Sequence, residues 1–189
     1  MLQKKDKHKI IFFRESVFRV AEAIFNFPNK TFHIRMLEKE TEFSTTAIID
    51  AVNELKSFGI IEVFETPITK NIKAKLDSEA YGFYKIIFNL YRLKRYGFVD
   101  NLLEIFNNPE AIVLYGSFAK GEDIEESDVD FLVISSNASA DLSTFKNTFE
   151  KEMHRKIDIT VLPSLDKSSA EFKNAVANGI VLHGYLKVL

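Results

Sequence analysis

An apolar run that breaks on glycine and serine, with two aspartates ten residues later at the head of a second apolar run, constrains this chain most. The first run is Ala111-Ile112-Val113-Leu114-Tyr115, followed by Gly116-Ser117. The second opens on Asp128-Val129-Asp130 and continues through Phe131 to Ile134. Short apolar runs of this kind, bounded by turn residues, read as buried strands. Gly116 lets a ligand approach the backbone closely, and a helix opening near Ser117 offers free N–H groups to an anion, typically phosphate. Ser117 adds a hydroxyl donor. Asp128 and Asp130, at i and i+2, are expected on one face of a strand, with Val129 and Phe131 on the other. Two such carboxylates repel unless a cation sits between them, and hard oxygen ligands suit Mg2+ completed by substrate phosphates. A phosphate cradle beside a magnesium pair describes a nucleoside triphosphate site.

A third carboxylate follows on the next expected strand. Ile157-Asp158-Ile159-Thr160-Val161 sets Asp158 between apolar neighbours. A buried, unpaired aspartate in a strand centre is costly, so Asp158 is expected to share the cation site with Asp128 and Asp130. Three carboxylates can hold two metals. One carries the triphosphate, and the other lowers the pKa of an attacking hydroxyl.

The surrounding pattern alternates strand and helix. Strands are expected over Ala111–Tyr115, Val129–Ile134 and Ile157–Leu162. Helices are expected near Ser117, over Leu142–His154 and over Ser169–Ala177, with Ile180-Val181-Leu182 adding a last apolar segment. This is a small α/β domain with a central sheet covered by helices.

The earlier residues read differently. Val17, Phe18, Val20, Ala21, Ile24 and Phe25 have helical spacing over residues 14–26, and Asn26-Phe27-Pro28-Asn29 stops that helix. Phe32 to Lys39 reads as a short second helix. Ser44, Thr45 or Thr46 caps a third, whose stripe is Ile48, Ile49, Val52 and Leu55. Ile60–Glu65, the turn Thr66-Pro67-Ile68-Thr69 and Asn71–Leu76 form a hairpin. Ser78 caps a long helix reaching about Arg95, crowded with Tyr81, Tyr84, Ile87, Phe88, Tyr91 and Leu93, and Val99–Phe106 follows. Those aromatics recur at helical spacing. They read as a buried connector or a dimer interface in preference to a platform for stacking bases, and a homodimer is expected.

Composition excludes several classes. Among 189 residues there is no cysteine, which removes disulfides and cysteine-ligated zinc or iron–sulfur sites. No apolar run is long enough to span a bilayer, so no membrane partner is expected. Ile10–Phe13 is too short for a secretory signal core, and a cytoplasmic location is expected. Net charge is −2 and unevenly spread. Residues 1–77 hold 13 Lys/Arg against 11 Asp/Glu, and residues 111–189 hold 8 against 12. His8, His33, His154 and His183 lack metal-ligand spacing. Glu122, Asp123, Glu125 and Glu126 read as a solvated acidic loop, awkward for a nucleic-acid acceptor.

Gly116-Ser117, ten residues, then Asp128-Val129-Asp130 resembles the Gly-Ser-x10-Asp-x-Asp signature of nucleotidyltransferases of the DNA polymerase beta superfamily, closest to their minimal branch. Asp158 matches the third aspartate of that family, and Ala177-Asn178-Gly179-Ile180-Val181-Leu182 resembles its C-terminal segment. The resemblance covers about residues 108–186. It implies transfer of a nucleoside monophosphate, AMP from ATP or its equivalent from another nucleoside triphosphate, to an acceptor hydroxyl. By that match Gly116 and Ser117 bind the triphosphate, and Asp128 and Asp130 hold two Mg2+ ions. Asp158 completes the metal next to the acceptor and serves as base. Where many members carry arginine, this chain has Phe118 and Lys120. Lys120 can still reach phosphates and Phe118 cannot.

Three helices followed by a hairpin resemble a winged helix-turn-helix. The expected architecture is therefore α+β or α/β in three parts: a winged helix-turn-helix over 10–77, a helical connector over 78–107, and a nucleotidyltransferase domain with a small mixed sheet over 108–189. The third helix carries Asp50, Glu54 and only Lys56. Cations lie instead at Lys70, Lys73 and Lys75 of the hairpin and at Lys4, Lys5, Lys7 and Lys9. Duplex DNA and a partner protein are both open as ligands of this domain.

Two function classes follow. One is an enzyme that nucleotidylates a hydroxyl on a small molecule, an RNA end or a protein. Toxin–antitoxin nucleotidyltransferases share the signature and use a tyrosine of a partner protein as acceptor. The other is a DNA-binding regulator, antitoxin-like, whose C-terminal domain binds nucleotide without turnover.

Overall fold

Val17, Val20, Ala21, Ile24 and Phe25 form the buried stripe of α1 (Glu15–Asn26) in the computed structural model, which describes residues 14–65, 69–137 and 141–187. The chain divides into two units, Met1–Tyr81 and Gly82–Leu189. In the first, α1 is followed by β1 (Phe32–His33), α2 (Ile34–Thr41), α3 (Thr45–Ser57), β2 (Ile61–Glu65) and β3 (Lys70–Ala74). The strands form one antiparallel sheet in the order β1-β3-β2. Phe32 and His33 were expected to be helical and are a strand instead. Phe32 pairs with Ile72 and is fully buried, while the His33 ring nitrogen accepts the Met36 N–H and caps α2. Burial of a large ring and a cap outweigh a local pattern that reads as one helix. Ser44 caps α3 by accepting the Ala47 N–H. Lys4, Lys5, Lys7, Lys9, His8, the segment Ile10–Phe13 and the turn residues Thr66, Pro67 and Ile68 lie outside the described residues.

The second unit takes in all but the first turn of α4 (Glu79–Arg95). Ser78 caps this helix by accepting the Tyr81 N–H. Then come α5 (Phe98–Phe106), β4 (Ala111–Tyr115), α6 (Gly116–Lys120), β5 (Val129–Ile134), α7 (Ser143–Met153), β6 (Ile157–Leu162), α8 (Ala170–Ala177) and β7 (Ile180–Gly184). The sheet order is β6-β5-β4-β7. The β5–β6 pair is parallel and the other pairs are antiparallel, which makes the sheet mixed.

Alternation along the strands assigns the two faces. Ile112, Leu114, Val129, Phe131, Val133, Ile157 and Ile159 form one core with Phe98, Leu102 and Phe106 of α5, Phe118 of α6 and Phe145, Phe149 and Met153 of α7. Phe98 stacks on Phe131 at 4.2 Å. Burying one such side chain contributes about 1.5–3 kcal/mol. The opposite face carries Val113, Leu132 and Ile134 under Leu165 and Val176. Helices thus cover one face broadly and the other only beneath α8 and the segment around Leu165.

Candidate active site

Gly116 sits where β4 turns into α6, with φ +74°, in the left-handed region that disfavours a side chain. A Cβ here would collide with Asp130 Oδ2 and lie 3.2 Å from Asp130 Cγ. The glycine is therefore required twice, by its dihedral and by the carboxylate against it. Ser117 is half-buried at the start of the single turn of α6, and Lys120 is exposed at its end. Three residues apart, the two share a helical side. Phe118 is fully buried in the core. Where the resembling family carries arginine, this chain has a packing residue.

The three aspartates are placed unequally. Asp130 lies on β5 and is half-buried. Asp158 lies on β6 as its register partner in the parallel pair, so the two side chains share a face of the sheet. Asp128 precedes β5 and is exposed. The expectation that Asp158 is buried is corrected: it is exposed, because its neighbours Ile157 and Ile159 point into the core and it points away. Burial, and then the charges of Asp158 and of Asp128, push the Asp130 carboxyl above its ordinary value. Burial is the larger cause, and repulsion from the two neighbouring carboxylates adds to it.

Among the described residues, no group of three His, Cys, Asp or Glu side chains is gathered tightly enough to form a metal-binding cluster. Asp130 and Asp158 are brought together by register. Asp128 joins them through its charge on Asp130 and is not closed into a three-ligand shell. The donor chemistry, all carboxylate oxygen, fits a hard divalent cation whose shell is completed by phosphate oxygens.

Tyr115 escaped the sequence reading. It ends β4 as the register partner of Asp130, which puts Tyr115, Asp130 and Asp158 in one row across three strands. Its ring meets Phe172 of α8 edge to face at 5.6 Å. Its hydroxyl is hydrogen-bonded to Thr160 on β6. Burial, with the charges of Asp130 and Asp158, raises the hydroxyl above its ordinary value against the opposing effect of Thr160. The signal was its position immediately before Gly116, at the end of a strand whose neighbour carries the aspartates.

The acidic run is also corrected. Asp123 is 2% exposed, ion-paired with Lys85 at 3.1 Å and bonded by Asn89 at 2.8 Å. It belongs to the interior, unlike the exposed Glu122 and Glu126 beside it.

Residues 99–185 match the family model described as Polymerase beta, Nucleotidyltransferase. The matched span contains Gly116, Ser117, Lys120, Asp128, Asp130 and Asp158, and it supports a nucleotidyltransferase domain of the polymerase beta superfamily in this part of the chain. No curated protein and no solved structure matches the chain. Among the described residues, no helix is long and apolar enough to cross a membrane.

Proposed function

We propose that the chain is a nucleotidyltransferase moving a nucleoside monophosphate, AMP from ATP, to an acceptor hydroxyl. The observation that carries this reading is the row Tyr115, Asp130, Asp158, with Gly116 packed on the Asp130 carboxylate. In this reading Asp128, Asp130 and Asp158 hold divalent cations, and Gly116, Ser117 and Lys120 hold the triphosphate. Mg2+ bound there supplies neutralisation of triphosphate charge and a more acidic acceptor hydroxyl. Asp158 takes the hydroxyl proton. The freed oxygen bonds to the α-phosphorus, the bond from that phosphorus to its bridging oxygen breaks, and pyrophosphate leaves. The open sheet face beside α8 admits the substrate, and the Tyr115 ring walls the site on the Phe172 side.

The proposed domain scheme is a winged helix-turn-helix over 10–77, the helices of 78–107, and the transferase domain over 108–189. The order α1, β1, α2, α3, β2, β3 supports the first assignment. Its ligand is duplex DNA or a partner protein that presents the acceptor, in a homodimer. A second reading, a DNA-binding regulator that binds nucleotide without turnover, is favoured by one observation: the carboxylates do not close into a three-ligand cluster among the described residues.

Incubation with Mg2+ and ATP labelled at the α-phosphorus separates the two. Label on a co-purifying protein or RNA, lost in Asp128→Ala and Asp158→Ala, supports the transferase. Salt-sensitive duplex binding that responds to ATP, with no label transferred, supports the regulator.

A further inference from the structure

One helix face in the second unit carries buried polar side chains where an apolar stripe is the usual expectation. Lys85 is 0% exposed, Asn89 1% and Arg92 6%, and all three lie on one side of α4. Each reaches a segment that leads into the site. Asn89 donates from one amide nitrogen to the Phe118 carbonyl at 2.9 Å, next to Ser117, and to Asp123 Oδ1 at 2.8 Å. Lys85 pairs with Asp123 Oδ2 at 3.1 Å and donates to the Asp123 carbonyl at 3.2 Å. Asp123 stands five residues ahead of Asp128. Arg92 donates to the Met153 carbonyl at 2.6 Å, five residues ahead of Asp158.

The loop between these anchors is also fixed. Ile124 N–H donates to Ser127 Oγ at 2.9 Å, and Ser127 N–H returns to the Ile124 carbonyl at 3.1 Å. Arg155 donates to the Glu125 carbonyl and lies 3.8 Å from Asp123. Val129 N–H donates to the Lys156 carbonyl at 2.9 Å, so Asp128 is held from both sides. Gly121, with φ +70°, admits a close approach to α4: a Cβ there would lie 3.1 Å from Ile86.

Burying charges is costly, and breaking a buried pair is costlier still. A hydrophobic stripe would hold α4 in place equally well, so stability alone does not account for these residues. We propose that Lys85, Asn89 and Arg92 of α4, with Asp123, form a positioning frame that fixes Ser117, Asp128 and Asp158 relative to one another. In this proposal the four act through the backbone they hold, as positioning residues. The proposal rests on the nucleotidyltransferase reading of the site.

The test uses the full chain and reads binding of Mn2+ with ATP by calorimetry, which needs no acceptor. The variants are Asn89→Leu and the charge-neutral pair Lys85→Met with Asp123→Asn. Phe106→Leu, a core change on α5, serves as the control at comparable loss of thermal midpoint. The frame predicts binding weakened about ten-fold or more in the folded positioning variants, as for residues that orient metal ligands, and about unchanged in the control. Equal weakening in the control, or none in the variants, overturns the frame and leaves the reading of the site intact. Failure of the native protein to bind overturns both. A second measurement needs no variant. In the native protein without nucleotide, the amides of Ile124, Ser127 and Val129 should exchange within about ten-fold of those of Phe88–Arg92 on α4, as parts of one cooperative unit. Exchange faster by orders of magnitude contradicts a fixed loop.

Discussion

Asp130 and Asp158 are register partners on the parallel strands β5 and β6, with the Asp130 carboxyl pushed above its ordinary value by burial and by its two acidic companions. Neutralising Asp130 removes both the cost of burying its charge and the repulsion from Asp158 and Asp128. Asp130→Asn is therefore expected to raise the thermal midpoint while abolishing nucleotide transfer. Asp158→Asn relieves the same pair repulsion at an exposed position, without the gain from burial, so it raises the midpoint by less and lowers transfer about 100-fold or more, as loss of a general base does. Scanning calorimetry beside a transfer assay checks both. A midpoint that falls in Asp130→Asn contradicts the repulsion.

Gly116→Ala carries a double penalty. The left-handed φ of +74° costs a residue with a Cβ about 1–2 kcal/mol, and the new methyl group meets the Asp130 carboxylate. The variant should lose at least that much stability in a urea titration and lose divalent-cation binding with it. Native cation affinity in Gly116→Ala would separate the glycine from the carboxylate site.

Tyr115 is expected to act through packing and its bond to Thr160, and not through chemistry at its hydroxyl. Tyr115→Phe keeps the ring against Phe172 and removes one hydrogen bond, a loss of about 1 kcal/mol. Transfer should persist in it and fall sharply in Tyr115→Ala, where the wall of the site is gone. Denaturant titration and initial rates report the two effects separately.

The strands of the second unit were legible because their residues obey one rule without conflict. Ala111–Tyr115, Val129–Ile134 and Ile157–Leu162 are apolar runs ended by turn residues, and they are the observed β4, β5 and β6. The helix expected over Ser169–Ala177 is α8, with Ser169 as its cap accepting the Phe172 N–H. What stayed hidden depends on distant partners. Phe32 becomes a strand because Ile72, forty residues away, pairs with it. Asp123 sits in an acidic run that local composition assigns to solvent, and only Lys85 on another element reverses that. The polar stripe Lys85, Asn89, Arg92 was masked by the aromatics around it. Register, which aligns Tyr115 with Asp130 and Asp158, is a property of paired strands and not of any one of them.

Lys85 gives the fold a pH signature. Its burial lowers the amine below the ordinary value of 10.5 and outweighs Asp123, which raises it, while Arg155 and Arg92 lower it further. Between that lowered value and 10.5 the unfolded chain binds a proton that the folded chain does not, so stability increases with pH across the window. The difference in unfolding free energy between the native protein and Lys85→Met should change with pH there and be flat below it. Parallel urea curves at every pH contradict the burial of a titrating amine.

Duplex binding by the first unit, in the proposed reading, runs through its hairpin. Lys70 is tied to Glu65 at 2.8 Å, which leaves Lys73 and Lys75 as the stronger phosphate contacts. Replacing either with alanine should weaken binding to all sequences alike and lessen the salt slope by about 0.9 for each phosphate no longer neutralised. No measurable duplex affinity in the native protein contradicts the DNA reading and points to a protein ligand.

The most direct measurement is transfer itself. The native protein is incubated with Mg2+, α-phosphorus-labelled ATP and the proteins and RNA that co-purify with it, beside Asp128→Asn, Asp130→Asn and Asp158→Asn. Covalent label on an acceptor, with pyrophosphate released in equal amount, is expected from the native protein and from none of the variants. Label that persists in all three variants, or bound ATP returned intact with no acceptor labelled, contradicts the transferase reading.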